Sequence, residues 1–206
     1  MIADGLDNVT AWFDRAAPAY GDGVFARLVK AWEARAVFAV TGPVPSPVLE
    51  LGCGAGDYTR RLLAAGAREV VAVDRSLAML DRARGDGVRT ILSDAAHLSL
   101  SETFPLVFSA GMLEFVPDPT AVFAVAAAHA QPDAALVMFV PVVGVAGERY
   151  RAWHASHGVV VQLFDERALE GLGAAWGWRL VATRRVWPFG LAARFCRSFL
   201  NISSED

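Results

Sequence analysis

Lysine is almost missing from this 206-residue chain: of its 19 basic residues only Lys30 is a lysine. The preference for arginine reads as a composition bias without functional meaning. Cysteine is nearly as scarce. Cys53 and Cys196 lie far apart, so neither a disulfide framework nor a cysteine-based metal motif is predicted, and a reducing, cytoplasmic setting is expected. No apolar run reaches the roughly 20 residues that span a bilayer. The longest, 121–130 and 134–147, are too short or are broken by proline, so no membrane insertion is expected. The opening MIADGLDNV lacks the basic and apolar regions of a secretion signal. A basic excess is absent too. The net charge is −3, which argues against a nucleic-acid partner, since such proteins carry a basic footprint. No Ser-His-Asp order, P-loop, H-E-x-x-H or clustered His, Cys and carboxylate spacing occurs, so no metal is expected.

What is present suits a globular fold. Hydrophobic residues make up 54% and charged residues 20% of the chain, and the length fits one domain with a substantial core. The organising stretch is 47–59, PVLELGCGAGDYT. Val48, Leu49 and Leu51 form a short apolar run that reads as a buried strand. Gly52, Gly54 and Gly56 follow at alternate positions, and Asp57 opens a helix. Glycine lets the backbone turn sharply and approach a ligand closely. A helix N-terminus then offers free N–H groups to a polar or anionic ligand group. A dinucleotide fingerprint would read G-x-G-x-x-G. Here the third glycine comes one residue early, and an acid, Glu50, stands two before the first.

Glu50-Leu51-Gly52-Cys53-Gly54-Ala55-Gly56 resembles the first motif of the class I, Rossmann-like S-adenosylmethionine-dependent methyltransferases of the small-molecule type. Residues 68–74 read as a second buried strand ending in Asp74, which lies 20 residues after Gly54. At that distance in a βαβ unit an acid meets a ribose diol. The resemblance assigns Asp74 the ribose, with Arg75 beside it. Ser76 is the expected cap of the next helix. After a third strand over 87–93, the resemblance places Asp94 and Ala95 at the adenine; His97 reads as a solvated loop residue. Residues 104–109 form a fourth strand, and the 110–118 segment resembles the family motif where the cofactor's methionine end meets the substrate, at Ala110, Met112, Glu114 and Phe115. Two departures stand out. Phe104-Pro105 replaces the usual Phe-Asp, so pairing should begin after the proline. Phe115 stands where many relatives carry histidine, which removes one candidate base.

Residues 12–20, WFDRAAPAY, resemble the family's N-terminal arm, which implies that Phe13 and Tyr20 cover the cofactor. An aromatic face beside a sulfonium is also sound as a cation–π contact. Residues 24–40 show a helical stripe of Phe25, Leu28, Val29, Trp32, Ala36 and Ala39, read as a covering helix without chemistry. Residues 119–131 read as a helix and 134–140 as a fifth strand. The segment 145–157 looks like a helix or lid carrying Arg149, Tyr150, Trp153, His154 and His157, where relatives build substrate pockets. A helix over 164–176 is capped by Asp165. Strands over 178–186 and 191–200 close the chain as a hairpin turned by residues 187–190.

The alternation of strand and helix predicts an α/β fold: a doubly wound, mostly parallel seven-stranded sheet with a C-terminal antiparallel hairpin strand and helices on both faces. The expected organisation over 1–206 is an arm or lid (1–45), a cofactor-binding core (46–140), and a substrate lid with closing hairpin (141–206). The expected function is methyl transfer from S-adenosylmethionine to an O, N, C or S nucleophile of a small molecule, leaving S-adenosylhomocysteine, by a monomer or homodimer. His154, His157 and Tyr20 are the candidates for moving a substrate proton; a histidine base would titrate near 6.5. The alternatives are a nicotinamide-dependent oxidoreductase, a non-catalytic cofactor-binding subunit, or a protein or RNA modifier. Glycine spacing disfavours the first and the charge balance disfavours RNA.

Overall fold

The computed structural model describes residues 2–21, 23–188 and 190–197, and their side chains except those of 2–7 and 25–27. Phe25 of the expected stripe, Phe189 of the expected turn and 198–200 of the expected last strand lie outside these. Seven strands form one sheet: β1 (Val48–Leu51), β2 (Val70–Asp74), β3 (Val88–Leu92), β4 (Phe104–Ala110), β5 (Ala130–Pro141), β6 (Trp178–Val186) and β7 (Gly190–Arg197). Their order is β3-β2-β1-β4-β5-β7-β6. β1 to β5 run parallel, and β7 lies antiparallel between β5 and β6. The mixed sheet with its C-terminal hairpin is the architecture expected from the sequence.

Burial explains the strand composition. Alternate side chains point to opposite faces, and both faces are covered. Leu49, Leu51, Val71, Val73, Leu136 and Met138 pack on one side. There they meet Val122 and Phe123 of α5 (Pro119–Ala128) and Leu169 of α7 (Glu166–Ala174). Val48, Val70, Leu106, Phe108 and Val137 pack on the other. Their partners are α2 (Val24–Thr41), α3 (Asp57–Ala64) and α4 (Leu77–Ala83). A strand buried on both faces has few polar positions, which is why VVAV reads as a run without alternation and VLEL is interrupted only by the buried Glu50. Trp178 is buried, and its Nε1 donates to the Phe123 carbonyl at 3.3 Å, fastening α5 to the hairpin.

Three sequence expectations shift. The stripe on α2 holds only in part: Ala36 is buried as expected, beside Ala34 and Val37, but Leu28 and Trp32 are 66% and 63% exposed. Only the second half of the helix lies on the sheet, against β5, β6 and β7; the first half overhangs the strand ends. β5 starts at Ala130 and not Ala134, because the His129 carbonyl already accepts from Phe104 N–H at 2.8 Å. That shortens α5 to Ala128. Pairing with β1 begins at Leu106, after Pro105 as expected, but on the β5 side Phe104 already pairs with Ala130 ahead of the proline, and the register breaks across it.

The N-terminal arm is α1 (Ile2–Ala16) followed by a 3-10 turn over Ala17–Ala19. It docks on α4. Ser76 Oγ donates to the Asp14 carboxylate, Arg82 donates to the carbonyls of Ala17 and Tyr20, and Ala17 packs on Met79. α6 (Val145–Ala155) follows β5 and faces α1 across the strand ends, where Trp153 meets Trp12 at 6.2 Å.

Two helical glycines test the packing. A Cβ at Gly147 in α6 would stand 2.0 Å from the Val142 carbonyl oxygen, whereas one at Gly171 in α7 meets nothing within 4 Å. Gly147→Ala should lower the unfolding free energy by about 1–3 kcal/mol through overpacking. Gly171→Ala should raise it by about 0.5–1 kcal/mol through helix entropy. Urea midpoints of the two variants measure both; equal behaviour would contradict the α6 packing.

Candidate functional site

The strand order reverses beside β1, which leaves a crevice at the carboxyl ends of β1 and β4. A cleft of about 830 Å³ opens there, lined from α1, α2, the four strand ends β1 to β4 and α6.

Its floor is the glycine turn. The N–H groups of Gly52 and Cys53 both donate to the Val73 carbonyl, at 2.8 and 2.9 Å, and bind the end of β1 to β2. Gly52 has φ +75°, and a Cβ there would stand 2.3 Å from Met112 Cγ. The glycine therefore admits the Met112 side chain to the floor. Gly54 has φ +51° and nothing within 4 Å of its Cβ position, so bare backbone faces the open cleft. Gly56 caps α3 behind the cleft and does not line it.

Acids ring this floor. Asp74 accepts from Gly54 N–H at 2.8 Å and from Ser76 N–H at 2.9 Å. Burial raises its pKa, opposed by those N–H groups. Glu50 is 2% exposed and accepts from the Thr59 hydroxyl at 2.6 Å; burial pushes it up to about 8. Asp94 accepts from Ala96 N–H at 3.0 Å and meets His97 Nδ1 at 3.0 Å. Arg75, Ala95 and Ala110 line the same space.

The opposite wall is aromatic. Phe13 packs edge-on against Phe115 at 5.2 Å and Tyr20 at 6.0 Å. Trp12 stands 4.8 Å from Phe13 and 5.5 Å from His154. His154 is buried among Trp12, Phe115, Tyr150 and Trp153, its Nδ1 has no hydrogen-bond partner, and burial holds its pKa down at about 4. Glu114 is 3% exposed. It is bonded by Tyr150, its Oε2 lacks a partner, and burial pushes it up to about 8. Tyr20 is pushed up to about 12 by burial, with Glu114 adding to it.

Most sequence-selected residues therefore meet in one cleft. Three do not. Gly56 stays behind α3. His157 is exposed at the end of α6, its Nδ1 2.8 Å from the Trp153 carbonyl oxygen, and it does not reach the cleft. Arg149 lines a shallow neighbouring depression of about 730 Å³ with Val145 and Trp187. Sequence reasoning missed Trp12, Lys30, Glu33 and Tyr58, which also line the cleft. Lys30 and Glu33 sit one turn apart on the overhanging half of α2, where the apolar stripe points to the wrong face. Their charges were the available signal. Among the described residues, no group of three His, Cys, Asp or Glu side chains could hold a metal ion, and no helix is long and apolar enough to cross a membrane.

Residues 48–133 match a methyltransferase domain family. The overall structure is similar to DhpI in complex with S-adenosylhomocysteine, with a TM-score of 0.77 and 21% identity, covering 94% of this chain and 97% of that one. The chain therefore shares the fold of solved methyltransferase structures. The magnesium protoporphyrin IX methyltransferase of Synechocystis has a TM-score of 0.70 at 19% identity, covering 92% and 95%. The N-methyltransferase NodS of Bradyrhizobium japonicum has a TM-score of 0.70 at 20% identity, covering 92% and 98%. A ubiquinone biosynthesis O-methyltransferase of Hahella chejuensis is 37% identical over 98 residues, 43% of this chain. The match spans 40% of that relative's length.

The methyltransferase fold holds Glu50 at a cost that pH exposes. Its folded pKa, about 8, lies above the unfolded carboxyl range, so the folded state keeps a proton that the unfolded state loses. Its contribution to stability is complete at low pH and is lost as pH rises towards 8. Glu50→Gln removes the ionisation and keeps an acceptor for Thr59. Urea unfolding from pH 5 to 8 should show the stability of Glu50→Gln rising relative to wild type; a constant difference would show that Glu50 is charged when folded.

Proposed function

We propose that this protein transfers the methyl group of S-adenosylmethionine to a small-molecule nucleophile. The observation that carries the reading is the opposition of Gly54, open to the cleft, to the acids Asp74 and Asp94 at successive strand ends. The residues fit the cofactor. A side chain at position 54 would fill the floor, and the two carboxylates are acceptors for hydroxyl and amine donors. We infer that Asp74 would hold the ribose hydroxyls, that Asp94 and Ala95 would hold the adenine, and that Gly52, Ala110 and Met112 would meet the amino-acid end. Phe13 and Tyr20 would cover it from the arm. The whole chain would then work as one unit: arm 1–45, core 46–140, and lid with hairpin 141–206. A cytoplasmic enzyme, monomeric or dimeric, is the form this reading takes.

Bound S-adenosylmethionine supplies an already activated methyl group. What the chain itself must do is align an acceptor and exclude water. Trp12, Phe115, Tyr150, Trp153 and His154 form a wall suited to a flat apolar substrate. Of the three groups expected to move the substrate proton, His157 lies outside the cleft, Tyr20 stays protonated to about pH 12, and His154 is neutral above about 4. Glu114, held up to about 8, is better matched to take a proton from a phenol or an ammonium.

Calorimetric titration tests the function: S-adenosylmethionine and S-adenosylhomocysteine should bind, and NAD(H) should not. Binding of NAD(H) alone would favour the oxidoreductase. Asp74→Ala should weaken cofactor binding by about 1.5–3 kcal/mol, the worth of a hydrogen bond to a charged group. Wild-type affinity in that variant would remove the ribose role.

Proton transfer has its own signature. Turnover should rise with pH through about 8 as Glu114 ionises, and show no limb near 6.5. Glu114→Gln should flatten the rise and lower the maximal rate by roughly 10²–10⁴. A limb near 6.5 would return the role to a histidine.

A further inference from the structure

α6 presents two faces to two spaces. Side chains four apart on a helix share a face. Tyr150 and His154 line the cleft. Val145, Arg149 and Trp153 lie on the neighbouring face and line the shallow depression of about 730 Å³ beside it, together with Trp187 and Pro188 of the hairpin turn. Tyr150 and Trp153 line both spaces, so the cleft and the depression adjoin along these two side chains.

The depression has a chemistry of its own. Its apolar members stand open to water: Trp187 is 84% exposed, and Val145 and Trp153 are more than half exposed. Large apolar side chains gathered at the surface mark a binding site where scattered ones do not. Arg149 is the single charged side chain that lines the depression. No acid neutralises it. Glu148, its neighbour in sequence, is paired with Arg151, and among the described residues Arg149 forms no ion pair. A guanidinium in apolar surroundings recognises a planar anion through two parallel N–H bonds. An occupant of the depression alone would touch one shallow wall. An occupant that also crosses Tyr150 and Trp153 would bury its apolar part in the cleft.

We propose that the methyl acceptor is an amphiphilic anion: a flat apolar ring held in the cleft, with a carboxylate or a similar anionic group carried on an arm across Trp153 to Arg149. The proposal rests on the reading of the cleft as the site of methyl transfer, and it names the class of acceptor. The length of the arm follows from the helix. Arg149 and Trp153 are one turn apart, which puts the anion about 5–6 Å beyond the ring. Arg149 and Trp187 are then specificity residues that take no part in the transfer itself.

Two fluorescent probes test it before the acceptor is identified. Pyrenebutyrate and pyrenebutanol share ring and arm, and only the first ends in an anion. Each is titrated into wild type, Arg149→Gln, Arg149→Lys, Trp187→Ala and Phe115→Ala, with and without saturating S-adenosylhomocysteine. Arg149 and Trp187 are exposed, so their variants should fold. Wild type should bind pyrenebutyrate about threefold to tenfold more tightly than pyrenebutanol. Arg149→Gln should abolish the preference and leave pyrenebutanol within about twofold, and Arg149→Lys should restore part of it. Trp187→Ala and Phe115→Ala, on the two sides of Trp153, should each weaken both probes. No preference in wild type, or equal losses of the two probes in Arg149→Gln, would overturn the proposal. So would a Phe115→Ala variant that binds both probes as wild type does, since the ring would then lie outside the cleft. Loss of a dimer in Trp187→Ala with probe binding unchanged would make the depression a surface between copies of the chain and overturn it as well. Calorimetry with S-adenosylhomocysteine keeps the two readings apart. If wild type does not bind it, the cofactor reading fails and the acceptor class with it; if it binds equally in every variant while the probes ignore Arg149, the acceptor class alone fails.

Discussion

One carboxylate holds the site in shape. Asp74 accepts the N–H of Gly54 and the N–H of Ser76, and so connects the glycine turn after β1 to the helix start after β2. Two backbone donors that would otherwise face the cleft unpaired are satisfied by one side chain. The arrangement extends further. Ser76 Oγ accepts from Met79 N–H as the cap of α4 and donates to Asp14 on the arm. The arm's position over the cleft therefore depends on the same two residues that set its floor. Asp74 has lone pairs beyond those it gives to the backbone, so a ligand hydroxyl need not displace either N–H.

The second constraint is electrostatic. Glu33, Glu50 and Glu114 are each raised towards or above neutrality by burial. Carboxyls kept from water in a stable fold cost free energy unless they are protonated, paired or hydrogen-bonded. Glu50 has its Thr59 bond, while Glu114 retains an unpartnered oxygen and His154 an unpartnered nitrogen in the same wall. Such atoms persist where their partner arrives from outside. Both stand beside Tyr150, and they favour a ligand that brings its own polar groups to an otherwise apolar wall.

Much of the fold was legible because the strands are continuous apolar runs and the turns carry glycine at fixed places. Val48–Leu51, Val70–Asp74 and the cap at Ser76 lay where the chain indicated. The cleft floor was legible for the same reason: Gly52, Gly54, Asp74 and Asp94 are set by local spacing along βα units. The aromatic wall was less so. Lys30 and Trp12 reach the cleft through helix packing that no short motif encodes, and His154 and His157, three residues apart on one segment, differ wholly in environment. Periodicity located α2 but chose the wrong face for its first half, because a helix that overhangs a sheet buries only the part that lies on it.

This difference in legibility follows from how the two ends are built. The floor and its acids lie on strand ends held by ladder hydrogen bonds and by Asp74, where a shift of one residue would reverse the faces of a whole strand. The aromatic wall lies on α1, α6 and the turn after β4, which touch one another through aromatic edges such as Trp12 with Trp153 and Phe13 with Phe115. Edge-on aromatic contacts add only about 0.5–1.5 kcal/mol each beyond burial, so substituting one side chain there alters the wall without breaking the sheet. The fold thus separates a part that tolerates almost no change in geometry from a part that can be re-cut for a different acceptor. In this chain that part holds an apolar ring, Phe115, on the strand-end loop and the imidazole of His154, supplied from α6 and packed against it at 5.4 Å.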